Sequence, residues 1–402
     1  MVSGLGAVTA AGWGIRPLCD ALRSGRTAIG PFDRFDHARQ RTHVAAQVPP
    51  GPASDRPCGV HWNQLSNSDK FALFSAIEAV EQARLGASLE SRHAGVFFGG
   101  STGGLFETEL YFDQLTRNAA RRPPRRLLQS HVLSAPAETL ARHFGVRGPV
   151  ETVSSACASG TLAVEQALRA LRTGEVDVAL AGGADCLCLT TYSGFNALRA
   201  IDERPCRPFR SDRAGMSLGE GGAVLILEAL DRAQARGVRP LAELLGAGSS
   251  CDANHMTAPH AEGLGAAAAM EHALEDAGLE PTGIDLINAH GTGTPLNDAA
   301  ESAALLRVFG DRARDLPTEA TKGLLGHLLG AAGAIEAIAA VLALLSQHVH
   351  STPGGGEIDP ALPVGLVFDG PKSLPGMRTA LSASFGFGGA NAAIVLARWE
   401  ES

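Results

Sequence analysis

Four short segments hold the side chains able to do chemistry. Residues 153–160 read Val-Ser-Ser-Ala-Cys-Ala-Ser-Gly. The β-rich run before Cys157 reads as a buried strand, and Thr161 to Leu168 has helical spacing, so Cys157 falls at a strand-to-helix turn. Free N–H groups and the helix dipole there favour thiolate over thiol. Ala156, Ala158, Ser159 and Gly160 leave room for a substrate to reach the sulfur. A free cysteine is more commonly a buried, inert hydrophobe. Cys19, Cys58, Cys186, Cys188, Cys206 and Cys251 are read that way, with Cys186 and Cys188 alternating on a strand.

The second segment, 288–298, is Asn-Ala-His-Gly-Thr-Gly-Thr-Pro-Leu-Asn-Asp. His290 ends a strand and faces the crevice where α/β folds bind ligands, and the Thr292 and Thr294 hydroxyls can hydrogen-bond a polar, extended ligand arm. His290 alone reads equally well as a turn residue capping backbone groups. In the third, 321–333, Lys322 and His327 share a glycine-rich connection. A buried lysine needs a carboxylate, and Asp298 and Glu301, three apart on one helix face, are the candidates. In the fourth, 384–391, the turn Ser-Phe-Gly-Phe-Gly-Gly-Ala-Asn can aim N–H donors at an oxyanion.

The elements that must position these groups follow from the hydrophobic pattern. Strands are expected at Ala94–Phe98, Val150–Ser154, Val176–Ala181, Ala223–Leu227, Leu241–Gly246, Asp285–Asn288, Leu381–Ser384 and Ala392–Leu396. Helices are expected at Asp69–Arg84, Ser159–Arg172, Gly265–Ala277, Asp298–Val308 and Gly333–Leu345. Alternation of this kind predicts an α/β fold with buried, largely parallel strands. A faint internal echo links the Cys157 turn and its small-residue helix to the Lys322–His327 turn and its own.

With 402 residues, 45% hydrophobic and 19% charged, the chain can bury a large core. A net charge of −8 without a basic tail argues against a nucleic-acid binder. Of the 34 basic residues only Lys70, Lys322 and Lys372 are lysine, which singles out Lys322. No C-x-x-C pair suggests a metal or redox site. An odd cysteine count and a Met1–Gly6 segment without signal-peptide features fit a reduced, cytoplasmic setting. The apolar stretch Leu328–Leu345 contains Glu336 and several glycines, and is expected to be a buried helix rather than a membrane span.

Taken together, the four segments resemble the β-ketoacyl synthase family, the decarboxylating condensing enzymes of fatty acid and polyketide synthesis. The similarity runs from Gly4-Leu5-Gly6-Ala7-Val8-Thr9 to Phe385-Gly386-Phe387-Gly388-Gly389. It includes Gly182-Gly183-Ala184-Asp185, Arg207-Pro208-Phe209, Gly219-Glu220-Gly221-Gly222-Ala223 and His255-Met256-Thr257. The closest look is to the elongating synthase II type and type II polyketide ketosynthases.

The resemblance implies a thiolase fold, with two pseudo-repeated βαβ-rich halves, 1–240 and 241–402, in a five-layer αβαβα arrangement. It implies acyl transfer to Cys157, His290 and His327 holding a malonyl thioester carbonyl, and Lys322 with Glu301 as the supporting charge pair. Phe385 becomes the gating phenylalanine and, with Cys157, an oxyanion-hole N–H. Thr292, Thr294, Phe195 and Asp298 would contact substrate. No metal and no cofactor is implied, since substrates ride on the phosphopantetheine arm of an acyl carrier protein. Arg125 and Arg126, after Arg121-Arg122-Pro123-Pro124, and Arg199 would dock that carrier. The working form would be a homodimer, or a heterodimer with a chain-length-factor-like subunit; no nucleic acid or membrane is implied.

Departures from the family pattern favour a specialised polyketide or polyene pathway over housekeeping fatty acid synthesis. Gly323 replaces the usual serine, the loop around 117–130 is short, and the 350–360 turn is rich in glycine. Glu107 and Glu109 stand where a straight acyl tunnel would be apolar. The competing readings are a non-catalytic chain-length-factor-like subunit and an acyltransferase that does not decarboxylate malonate.

Overall fold

In a computed structural model, residues 1–51, 62–117 and 122–400 are described; Cys58, Arg121 and part of the 117–130 loop lie outside them. The first half contributes strands β1 (Val2–Thr9), β2 (Ala94–Gly99), β3 (Val150–Val153), β4 (Val178–Asp185) and β5 (Gly221–Glu228). Its helices are α1 (Asn67–Gln82), α2 (Leu105–Arg117), α3 (Ala135–Phe144), α4 (Ser159–Arg172) and α5 (Leu189–Ala197). The second half contributes β6 (Ala242–Cys251), β7 (Leu286–Asn288), β8 (Pro317–Glu319), the short β9 (Gly365–Leu366), β10 (Thr379–Phe385) and β11 (Ala390–Arg398). Its helices are α6 (Leu264–Ala277), α7 (Pro295–Phe309), α8 (Lys322–Leu325) and α9 (Ala332–Ser346).

The faint sequence echo is a true structural repeat. The first half orders its strands β3-β2-β4-β5-β1, and the second β8-β7-β10-β11-β6 with β9 outside β8. In each half the first three strands of that order are parallel and the last two antiparallel to their neighbours. A single residue pair, Val2 with Ala242, joins the two. Helices α4 and α9 occupy the same place in each repeat and pack between the halves; α1 and α3 cover one outer face, and α6 and α7 the other. The result is the five-layer α/β architecture of the thiolase fold.

The apolar helix expected at Leu328–Leu345 is this central α9, buried along most of its length. Glu107 and Glu109, by contrast, do not line a tunnel. Glu107 accepts the Asn67 N–H at 2.8 Å, and Glu109 those of Leu189 and Thr190 at 2.9 and 2.6 Å. Both carboxylates therefore cap free N–H groups in the first turns of α1 and α5. Strand β1 escaped the hydrophobic pattern because of its glycines. A Cβ on Gly4 or Gly6 would lie 2.1 or 1.8 Å from a carbonyl oxygen of α1, so the strand gives up side chains to let the helix approach. Strand β4 ends at Asp185, so Cys186 and Cys188 lie beyond it rather than alternating on it. Their sulfurs face Glu220 and Thr191.

Candidate active site

Strand β3 ends at Val153, and the chain turns sharply before α4. Ala156 has φ +48°, unusual for a residue with a Cβ. Three hydrogen bonds hold the turn: the Ser155 N–H donates to Ser159 Oγ at 2.8 Å, and the Ser159 and Ser101 hydroxyls donate to the Ala156 carbonyl at 2.6 and 3.2 Å. Cys157 follows, buried, with Sγ 2.9 Å from His327 Nε2.

His327 stands at the matching place in the second repeat, between α8 and α9. The Leu329 N–H donates to its Nδ1 at 3.2 Å. That nitrogen is thus an acceptor, which leaves the proton of a neutral imidazole on Nε2, facing Cys157. His290 follows β7, and its backbone N–H and that of Gly291 donate to Glu301 at 2.7 and 2.8 Å. The Lys322 ammonium donates to His290 Nδ1 at 3.1 Å, to the His290 carbonyl at 2.6 Å, and to Glu336. Three donors meet three acceptors, and His290 too keeps its proton on Nε2. The two imidazoles meet edge to face, centroids 5.5 Å apart.

The carboxylate that pairs with Lys322 is therefore Glu336, not Glu301 or Asp298. Glu336 lies on α9, where a single charge in an apolar helix must find a partner; that was the available sequence signal. Glu301 serves the His290 backbone instead. Asp298 does not line the cavity: it accepts the Phe209 and Gly293 N–H groups at 2.7 and 3.1 Å and fixes the Thr292–Thr294 turn from behind.

Burial dominates the electrostatics. It pushes the Cys157 thiol up to about 11, with the Lys322 charge and the N–H groups of Phe387 and Cys157 pulling the other way. The helix N-terminus does not make a resting thiolate here. Burial, with Lys322, holds His290 and His327 well below the usual imidazole value, so both are neutral. It also lifts Glu301 and Glu336 to about 7 and Asp298 to about 6.

A cavity of about 230 Å³ opens above the sulfur, with Thr292, Thr294 and Phe387 on its walls and Arg199 at its mouth. The Thr292 and Thr294 hydroxyls are 3.0 Å apart. Phe387, rather than Phe385, directs its N–H at Cys157 Sγ. Phe385 pairs with Asn391 in the ladder and packs its ring 5.7 Å from that of His290. The two phenylalanines flank Gly386, whose place is set by close approach: a Cβ there would lie 2.9 Å from the Ser155 carbonyl and 3.3 Å from the Cys157 nitrogen. Phe195 stands behind Phe387, ring centroids 5.6 Å apart, outside the lining. Arg125 and Arg126 are exposed on a 3₁₀ turn and do not border the cavity.

A sulfur and two imidazole nitrogens lie within 4.8 Å of one another. By distance the trio could hold a metal, but donors on both Nδ1 atoms leave both Nε2 atoms as hydrogen-bond donors. Such a pair suits a developing oxyanion better than a cation.

A nucleophilic cysteine facing two imidazole donors, on a repeated 3-2-4-5-1 sheet, is the arrangement of a thiolase-fold ketosynthase. Residues 1–233 match the β-ketoacyl synthase N-terminal domain and residues 241–355 its C-terminal domain, and the chain belongs to that family. It is 32% identical over 407 residues to 3-oxoacyl-[acyl-carrier-protein] synthase 2 of Staphylococcus aureus, covering 100% of this chain and 98% of the relative. It is 37% identical over 413 residues to a putative polyketide beta-ketoacyl synthase 1 of Streptomyces halstedii, covering 98% and 97%. Among solved structures, the ishigamide ketosynthase/chain length factor matches with a TM-score of 0.92 at 35% identity, covering 99% and 98% of the two chains.

Proposed function

We propose that this chain is the catalytic subunit of a β-ketoacyl-[acyl carrier protein] synthase, working without metal or cofactor in the cytoplasm. The observation that carries the reading is the 2.9 Å approach of Cys157 Sγ to a His327 whose other nitrogen is already occupied. Cys157 attacks the thioester of an acyl carrier protein; its proton leaves with the carrier's thiol, and the acyl group stays on sulfur. Malonyl carrier protein then enters, its pantetheine arm along Thr292 and Thr294. The malonyl C–C bond breaks, carbon dioxide departs, and the electron pair becomes an enolate whose oxygen accepts from His290 and His327. The carbanion attacks the acyl-Cys157 carbonyl. N–H groups of Cys157 and Phe387 hold the resulting oxyanion, which collapses and expels the Cys157 thiolate.

Similar solved structures support a paired subunit and a carrier partner. They include a ketosynthase with its chain length factor from Xenorhabdus doucetiae, and a type II polyketide acyl-carrier protein in complex with its ketosynthase. Strand β3 ends the first half's sheet with Val150 exposed, leaving an edge for a second subunit. A polyketide or polyene pathway suits the remaining departures, Gly323 and the glycine-rich 350–360 turn.

The test is intact-protein mass after incubation with acyl carrier protein bearing a medium-chain acyl group, followed by carbon dioxide release from malonyl carrier protein. An acyl-sized gain absent from Cys157→Ala, with release, supports the reading. Neither signal, from folded protein with its partner subunit present, would favour a chain-length-factor-like role. Acylation without release would favour a non-decarboxylating acyltransferase.

A further inference from the structure

Away from the catalytic cavity, the chain buries an arginine with no ion pair among the described residues. Arg210 is 2% exposed. Its guanidinium lies over the Phe368 ring, 4.7 Å from the centroid. Nη1 donates to the Gly356 carbonyl and Nη2 to that of Thr352, both at 3.2 Å, long for hydrogen bonds from a charged donor. The Nε–H is buried without an acceptor. A guanidinium has five N–H donors and does not give up its charge, so more than half of this one's capacity is unused. Its neighbours differ: Arg207 pairs with Asp202 and Asp212, and Arg213 with Asp359.

Arg210 also lines a cavity of about 490 Å³ between the Ser24–Gly25 turn, the Gly354–Gly356 run and Phe368–Pro371. The N–H groups of Gly354, Gly355 and Gly356 have no acceptor among the described residues. Two acids stand near. Asp212 is already held by Arg204 and Arg207. Asp369 is exposed at the rim, close enough to feel the charge but outside ion-pair distance. A buried cation with unused donors, beside unpaired backbone N–H groups, is a binding surface for an oxyanion.

We propose that Arg210 and the Gly354–Gly356 backbone form a second ligand site, which takes a phosphate group. A tetrahedral phosphate offers oxygens in enough directions to meet both the planar guanidinium edge and the backbone donors, which a flat carboxylate does not. The group belongs to a phosphate ester or to free phosphate.

The experiment measures the thermal midpoint of the full chain in inorganic phosphate or AMP, against chloride at matched ionic strength. Either phosphate is expected to raise the midpoint in the native protein, with the increment lost in Arg210→Met. A larger effect of AMP identifies an ester as the ligand, and a larger effect of inorganic phosphate the free ion. No increment, or the same one in Arg210→Met, overturns the site. Should Arg210→Met not fold, Asp369→Asn removes only the exposed rim acid. Its Kd for the tighter-binding phosphate is expected to fall about threefold; an unchanged or higher Kd overturns the site.

Discussion

The Lys322 ammonium is ion-paired with Glu336 across the interval between α8 and α9, with both side chains 1% exposed. Glu336 thereby aims the two remaining N–H donors of Lys322 at His290 Nδ1 and its carbonyl. Glu336→Gln keeps the shape and loses the charge. Removing one partner of a buried pair costs about 3–5 kcal/mol when the other stays charged, and a neutral Lys322 would no longer fix the His290 tautomer. Decarboxylation of malonyl carrier protein is expected to fall about 100-fold, while acylation of Cys157 falls far less. Equal losses in both half-reactions would show that Glu336 supports the fold rather than the His290 donor.

The resting state of the nucleophile is a thiol. With its pKa near 11, alkylation of Cys157 by iodoacetamide is expected to rise about tenfold per pH unit from pH 7 to 10, following the thiolate fraction. A rate that levels off below pH 8 would mean that the N–H donors and Lys322 outweigh burial.

How much of this was legible in sequence depended on the kind of constraint. Cys157, His290, Lys322 and His327 stand in compact motifs whose residue types already state their chemistry. Glu336 stands in no motif, and its charge in an apolar helix first read as evidence about membranes rather than as the partner of a lysine. The Phe385 assignment slipped by two residues because the N–H facing the sulfur depends on where β10 ends and the turn begins. Alternation gives the strand but not its last residue. The repeat left only a faint echo in sequence and became plain in strand order, since equal topology does not require equal side chains.

The Gly386 position separates the two phenylalanines experimentally. A Cβ there presses on the Ser155 carbonyl and the Cys157 nitrogen, displacing the donors from the oxyanion. Gly386→Ala is expected to lower the acylation rate about 100–1000-fold, the range seen when an oxyanion-hole donor is lost, with little change in KM. Phe385→Leu, altering a ring outside the hole, is expected to cost about tenfold or less. The reverse order would return the oxyanion role to Phe385.

Glu301 is one of the buried carboxyls, with Glu336 and Asp298, that make stability depend on pH. Its folded pKa, about 7, lies above the ordinary glutamate value of 4.5. The folded state therefore binds the extra proton, and the favourable contribution present below 4.5 is lost as pH rises through 7. Glu301→Gln removes that slope, so the variant should gain stability relative to the native chain between pH 4.5 and 7, by up to about 3 kcal/mol. Urea unfolding of both proteins at several pH values checks it. A difference that stays constant with pH would mean that Glu301 titrates normally.

Asp185 ends β4, the place Phe385 holds in the other repeat, and ties the two catalytic turns together. It accepts N–H groups of Ser101 and Thr102 at 3.0 and 2.7 Å, and that of Gly330 at 2.6 Å. Ser101 in turn holds the Ala156 carbonyl, and Leu329, beside Gly330, holds His327 Nδ1. Asp185→Asn replaces one acceptor oxygen with a donor and turns a hydrogen-bonded approach into a clash of N–H groups. With His327 no longer locked in the Nε2–H tautomer, decarboxylation is expected to fall about 10–100-fold, with KM for malonyl carrier protein nearly unchanged. Loss of stability with an unaltered decarboxylation rate would make Asp185 a fold residue alone.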